Sequence, residues 1–123
     1  MATVNAVQTY LDQNGRLTAN TGAILNTWSG LAAGDDGAPI DLAAFADRSV
    51  QVAGTFDGAT VEIHGTVDGT NYVVLSDPQG NALSFSTAKI EAVTELVYRI
   101  KPVVSGGGAG TNLTVSLIAR RDV

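Results

Sequence analysis

Between Arg48 and Gly80, three runs of alternating apolar residues are separated by two Asp-Gly pairs, and few folds accommodate that order. Val50, Val52, Gly54 and Phe56 recur at period two, Asp57-Gly58 follows, and Val61, Ile63, Gly65 and Val67 repeat the period before Asp68-Gly69. Period two places such residues on one face of a β-strand. Asp-Gly between two such runs marks a hairpin, because a type I′ turn needs φ > 0 at both central residues, which glycine adopts freely and aspartate tolerates. Tyr72 to Leu75 supplies a third strand, stopped by Asp77-Pro78-Gln79-Gly80, where the proline has no N–H for a ladder. The stretch predicts a three-stranded antiparallel meander.

The rest of the chain adds short strands and almost no helix. Glu95 to Val104 predicts a strand with Leu96, Tyr98 and Ile100 on one face and Val97, Arg99 and Lys101 on the other, with Pro102 at an edge or at the strand's end. Leu113 to Arg120 predicts another, with Leu113, Val115 and Leu117 inward, after a flexible Gly-rich hairpin loop from Ser105 to Asn112. Leu83 to Phe85 reads as a brief strand, Ile40 to Ala46 as a short strand or a turn of helix, and Thr87 to Val93 as a helical turn or a loop. Many short strands at turn-marked spacing indicate an all-β chain, an antiparallel β-sandwich or jelly roll.

Gly34-Asp35-Asp36-Gly37-Ala38-Pro39 is the clearest boundary, dividing residues 1–33 from a β-sandwich domain over 34–123. Before it, Asp12 and Arg16 are the only charged residues, while Gln8 to Leu11 and Ile24 to Leu31 have strand character. Residues 1–33 are either the first strands of the sandwich or an extended N-terminal arm that orders against a neighbouring subunit. On the second reading, Val4, Val7, Tyr10, Leu11, Ile24, Leu25 and Trp28 form an assembly interface, joined by Arg120 and Arg121 from the basic last quarter.

Composition restricts the function classes. There is no cysteine among the 123 residues, which removes disulfides and thiolate metal sites. Only 15% of residues are charged, against about a quarter in an average domain, so part of the surface is expected to be covered in use. A net charge of −5 opposes binding to nucleic acid through its phosphates. No apolar run approaches the roughly 20 residues of a membrane helix, so no membrane partner is expected. MATVNAVQTY lacks the basic and apolar regions of a signal peptide, so Sec export is not expected either.

No catalytic constellation stands out, and neither catalysis nor a cofactor is expected. His64, the single histidine, alternates with Glu62 and Thr66 on the outward side of a strand, with no companion nucleophile. Asp35, Asp36, Asp57 and Asp68 are the conceivable calcium ligands, but turn chemistry accounts for Asp57 and Asp68, and Asp35 and Asp36 read as solvated loop acids; no metal is expected. The glycines after Ser105 lack the Lys-Ser or Lys-Thr of a phosphate loop. Trp28, Tyr72 and Tyr98 suit a sugar-stacking platform only if the core can spare them.

Taken in order, VQVAGTF, GATVEIHGTVDGTNYVVLSDPQGNALSF and ELVYRIKPVVSGGGAGTNLTVSL resemble small β-sandwich virion proteins of tailed bacteriophages. The shared elements are a strand ending Gly-Thr-Phe, a Gly-Ser-x-Asp-Gly-x-x-Tyr/Trp hairpin in which Thr66 stands for the serine, an Asp-Pro-x-Gly turn, and an Ile-Arg/Lys-Pro strand before a Gly-rich loop. The likeness covers Arg48 to Arg120. It implies a non-enzymatic structural protein, foremost a head decoration (cement) protein that bridges capsid subunits. Its implied partners are the major capsid protein and copies of itself, as a dimer or trimer, on the capsid surface of the virion after synthesis in the bacterial cytoplasm. A tail or baseplate component is the alternative within the resemblance. The strand-Asp-Gly-x-x-aromatic hairpin is also similar to carbohydrate-binding, discoidin-like sandwiches.

Overall fold

The computed structural model describes residues 2–11, 23–42, 45 and 47–120. Alternating burial runs through its long segments, and the elements follow from it. In chain order the strands are β1 (Thr3–Val4), β2 (Val7–Leu11), β3 (Ala23–Leu31), β4 (Asp36–Gly37), β5 (Ile40–Asp41), β6 (Asp47–Thr55), β7 (Ala59–Thr66), β8 (Val73–Val74), β9 (Ser84–Phe85), β10 (Lys89–Val93), β11 (Arg99–Gly106) and β12 (Asn112–Arg120). A five-stranded antiparallel sheet has the order β10-β6-β12-β3-β2. The seven-stranded sheet is built on the antiparallel pair β7–β11. There β4 and β5 extend β11, β8 and β9 extend β7, and β1 pairs in parallel with β4.

The two sheets form a β-sandwich, as the strand pattern predicts. Ile24, Trp28, Val50, Val52, Leu113, Val115 and Leu117 face inward from the smaller sheet and Val61, Ile63, Ile100 and Val104 from the larger, all in one core. Each such buried side chain contributes about 1.5–3 kcal/mol.

The expected meander from Arg48 to Gly80 is not formed. β6 lies in one sheet and β7 in the other, so Asp57-Gly58 turns the chain across the sandwich. The turn itself is of the predicted kind, with φ of 48° at Asp57, 82° at Gly58, and the Ala59 N–H donating to the Phe56 carbonyl at 2.8 Å. The Gly-rich loop behaves likewise, because β11 and β12 also lie in different sheets. The two crossings run side by side: Thr55 is opposite Asn112 in one sheet and Ala59 is opposite Gly106 in the other. Asp57 fastens them. Its carboxylate accepts the Gly110 N–H at 2.9 Å, its carbonyl accepts the Gly108 N–H at 3.1 Å, and the Thr111 hydroxyl donates to the Phe56 carbonyl at 3.0 Å. The loop expected to be a flexible hairpin tip is therefore pinned at the end of the sandwich.

Other expectations shift for identifiable reasons. Asp68-Gly69 is not a two-residue turn: β7 ends at Thr66, Val67 is 76% exposed, and β8 begins only at Val73. The Asp68 carboxylate organises that longer loop by accepting from the Thr70 and Asn71 N–H groups, each at 2.8 Å. β11 starts at Arg99, after a link between the sheets in which Val97 is buried and Leu96 is 73% exposed, so the expected phase fails before Ile100. Pro102 lies inside β11, not at its end, opposite Ile63. On its other side the ladder is split between β5, at Arg99 and Ile100, and β4, at Val103, so Pro102 falls in the gap. Lys89 to Val93, expected as a helical turn or loop, is an edge strand.

Two buried charged groups tie links to sheets. Asp35 is 8% exposed, not a solvated loop acid, and its two oxygens accept the N–H groups of Ala2 at 3.1 Å and Ala32 at 2.9 Å. Arg48 is also buried and donates through Nη2 to the Glu95 carbonyl, while the Glu95 carboxylate accepts the Ser76 N–H at 2.8 Å. Burial pushes the Arg48 pKa down, and the Glu95 charge partly opposes that shift.

Candidate functional site

Charge is distributed unequally between the two outward faces. On the seven-stranded sheet, Lys101 stands opposite His64 and Arg99 opposite Asp41 and Thr66. The side chains pair there: Arg99 Nε with Asp41 at 2.7 Å, Lys101 with Asp36 at 3.6 Å, and His64 Nε2 with Glu62 Oε1 at 2.9 Å. The Arg99 guanidinium lies 4.6 Å from the Tyr98 ring centroid, and the Lys101 ammonium 4.6 Å from that of Tyr72. Such contacts suit a wet surface, where each contributes about 0–1 kcal/mol.

The outward face of the five-stranded sheet is different. One row of cross-strand neighbours runs Thr9, Leu25, Ile118, Ser49, Ala92, and the next runs Val7, Thr27, Ser116, Gln51, Ile90. Neither row contains a charge. Among the described residues this face carries one charged pair, Arg120 with Asp47, which neutralise each other. Val7 is 65%, Ile90 63% and Ile118 43% exposed, high values for aliphatic side chains. A shallow hollow of about 200 Å³ opens between Leu25, Ile90 and Ile118, and a second of about 170 Å³ adjoins it at Ser49 and Ile118 and reaches Arg120.

The residues expected to form an assembly interface divide between several places. Val7, Leu25 and Arg120 come together on this face, which has no net charge. Ile24 and Trp28 do not: they are 2% and 0% exposed, inward on β3, and the Trp28 indole N–H donates to the Ala38 carbonyl at 3.0 Å. They are core residues and meet no partner surface. Val4 belongs to β1 in the other sheet and packs partly against the core. Tyr10 and Leu11 pair with Ile24 and Ala23 along the backbone of β2, and Arg121 lies outside the described residues.

Ile118 and Ile90 were missed, although the sequence signals both. Ile118 is an aliphatic residue on the polar phase of its strand, out of step with Leu117 and Ala119, and Ile90 alternates with Ala92 on the phase opposite Lys89, Glu91 and Val93. The conceivable calcium ligands are each held by the protein's own groups: Asp35 by two N–H groups, Asp36 by Lys101, Asp57 by Gly110, and Asp68 by Thr66, Thr70 and Asn71. Four donors around a fully exposed carboxylate hold the Asp68 pKa well below the usual carboxylate range. Trp28 is wholly buried, so the three aromatic residues make no common sugar platform.

No protein-family model matches the chain, and no curated protein matches it in sequence. Solved structures with a similar fold include two of phage origin. The SPBc2 prophage-derived protein YomS is 12% identical with a TM-score of 0.62, over 83% of this chain and 97% of that one. The PBSX exported protein XepA is 17% identical with a TM-score of 0.61, over 89% of this chain and 42% of that one, so the chain spans less than half of XepA. Among the described residues no helix is long and apolar enough to cross a membrane.

Proposed function

We propose that this chain is a structural protein of a tailed-phage particle, a head decoration protein that docks on the capsid through the outward face of its five-stranded sheet. The observation that carries the reading is the segregation of charge: an acidic chain keeps one whole sheet face free of net charge while its other face is laced with ion pairs. Such a face loses little by desolvation and is suited to a flat protein surface of equally low charge. The ordered motifs from Arg48 to Arg120 and the fold shared with a prophage-derived protein support a phage setting.

Five strands at about 4.8 Å spacing, crossed by about seven residues at 3.4 Å, give a face of roughly 550 Å². That is below the roughly 800 Å² per partner of a standard interface, so each docking event is weak and occupancy comes from many equivalent sites on a symmetric shell. The test is co-sedimentation of the purified protein with phage heads that lack it. Ile118→Glu and Leu25→Glu should leave the melting temperature unchanged and abolish binding, whereas Lys101→Gln on the opposite face should bind as the parent does. Unchanged binding by both glutamate variants, or association with tails instead of heads, would overturn the proposal.

A further inference from the structure

At the end of the sandwich where the link before β11 crosses between the sheets, the core phase runs on past the core. Val67 follows on the inward phase of Val61, Ile63 and Gly65, and Val73, opposite Gly65, shares the phase of Leu75. Leu75 is buried, yet Val67 is 76% and Val73 65% exposed. With the buried Val97 they line an open hollow of about 390 Å³, and its rim carries the Asp68 carboxylate and Asn71. Leu96 and Tyr98, the chain neighbours of Val97, add exposed apolar surface, and the Tyr98 ring stands beside Gly69. Core-phase side chains left uncovered together in this way mark a contact site.

We infer that this hollow receives a lysine side chain of a partner protein, its methylene stem along Val67, Val73 and Val97 and its ammonium on Asp68 Oδ2. The two oxygens of Asp68 differ. Oδ1 accepts from the Thr66 hydroxyl and from the Thr70 and Asn71 N–H groups, each at 2.8 Å, whereas Oδ2 accepts only the Asn71 side-chain amide at 2.7 Å. A carboxylate has about four acceptor sites, shared between its oxygens, so Oδ1 is saturated and Oδ2 keeps one open. An arginine fork needs both oxygens side by side, whereas a lysine ammonium is a point charge and needs one. Calcium, which takes six to eight oxygens, needs more than the rim offers. Lysine also lays its stem on apolar surface while its head stays in water, as an open hollow with a charged rim requires. Among the described residues no cation pairs with Asp68, and Arg99, over the Tyr98 ring, is committed to Asp41 at 2.7 Å. A basic group is therefore complementary both to the rim and to a chain of net charge −5. The four donors already hold the carboxylate in one place, so little ordering remains to be done on its side. The hollow belongs to the seven-stranded sheet, and the inference does not depend on what the five-stranded face binds.

The probes are the capped peptide acetyl-Gly-Lys-Gly-amide and its norleucine and arginine counterparts, titrated at neutral pH into the isotope-labelled full chain while amide resonances are followed. The lysine peptide should shift the Val67, Thr70, Asn71 and Val73 resonances saturably, with half-saturation about fivefold below that of the norleucine peptide, the measure of one exposed ion pair. The arginine peptide should bind more weakly than the lysine peptide. Val73→Lys, at an exposed position, brings a lysine of the chain's own to Asp68 and should abolish the response while keeping the parent's melting curve. Asp68→Asn should reduce the lysine peptide to the level of the norleucine peptide, and Ile118→Glu, on the other sheet, should respond as the parent does. Absence of saturable shifts, equal half-saturation for the lysine and norleucine peptides, arginine binding as tightly as lysine, or an undiminished response in Val73→Lys would overturn the inference. A lysine response in a protein that ignores phage heads removes only the capsid reading.

Discussion

Replacing Trp28 tests whether the segment before Gly34 is integral to the sandwich. Its indole is 0% exposed on the inward side of β3, with its N–H on the Ala38 carbonyl at 3.0 Å. Trp28→Phe removes that donor and strands the carbonyl, at about 1–3 kcal/mol. It also leaves roughly 40 Å³ unfilled, about 1 kcal/mol at the usual cost of a core cavity. The expected loss is about 2–4 kcal/mol out of the 5–15 typical of a domain, a drop of roughly 8–15 °C in melting temperature. Trp28→Ala, at about 3–5 kcal/mol for the ring plus the stranded carbonyl, brings the protein close to unfolding at room temperature. Urea denaturation followed by circular dichroism gives the numbers, with an unchanged m-value showing that the same surface is exposed on unfolding. Since Trp28 is the single tryptophan, parent fluorescence should be blue-shifted and closed to acrylamide until the chain unfolds. A Trp28→Phe loss below about 0.5 kcal/mol, the range of ordinary surface changes, would refute the placement of β3 in the core.

Two further outcomes follow from local geometry. At Gly54, φ is 117° and a Cβ would meet the Asn112 carbonyl oxygen at 2.4 Å, whereas at Gly58, φ is 82° and the space is open. Gly58→Ala should therefore cost about 1–2 kcal/mol of backbone strain, and Gly54→Ala clearly more, since the obstacle is backbone of β12; equal melting temperatures would contradict this. Asp68 has a pKa lowered by its hydrogen bonds, so its stabilising contribution is complete above the ordinary aspartate value near 3.9 and is lost only as pH falls toward the folded value. The Thr70 and Asn71 amide resonances should stay native at pH 3 and move below it, and a carboxyl titrating near pH 4 would contradict the geometry.

Much of the strand phasing was legible from residues alone. Val50 and Val52, Val61 and Ile63, and Leu113, Val115 and Leu117 all point where period two puts them, because burying one face of a pleated strand is a local demand. Partnership was not legible. A type I′ turn at Asp57-Gly58 fixes four residues and is satisfied whether the chain returns beside itself or crosses to the facing sheet. The alternation of β6 and β7 is the same in both cases, and what decides is Asn112 to Arg120, which takes the place beside β6 that a hairpin would have given to β7. The proposed docking face was half legible. Uncharged composition pointed to the N-terminal third and found Val7 and Leu25, but it could not separate Leu25 from Ile24, adjacent residues on opposite sides of one strand.

The paired crossings also set the order in which the molecule can be made. Neither crossing lets its own strands zip together, so the long ladders join segments far apart in the chain, as with Asp47 and Arg120, 73 residues apart. Loop-closure entropy must be met before such contacts return any energy, which places folding in the slow, millisecond-to-second range of β-sandwiches. On the ribosome, β3 and β6 emerge with an empty place between them, since β12 is the middle strand of their sheet. The five-stranded face cannot exist until the final described strand is released, so nascent chains have no completed face of this kind.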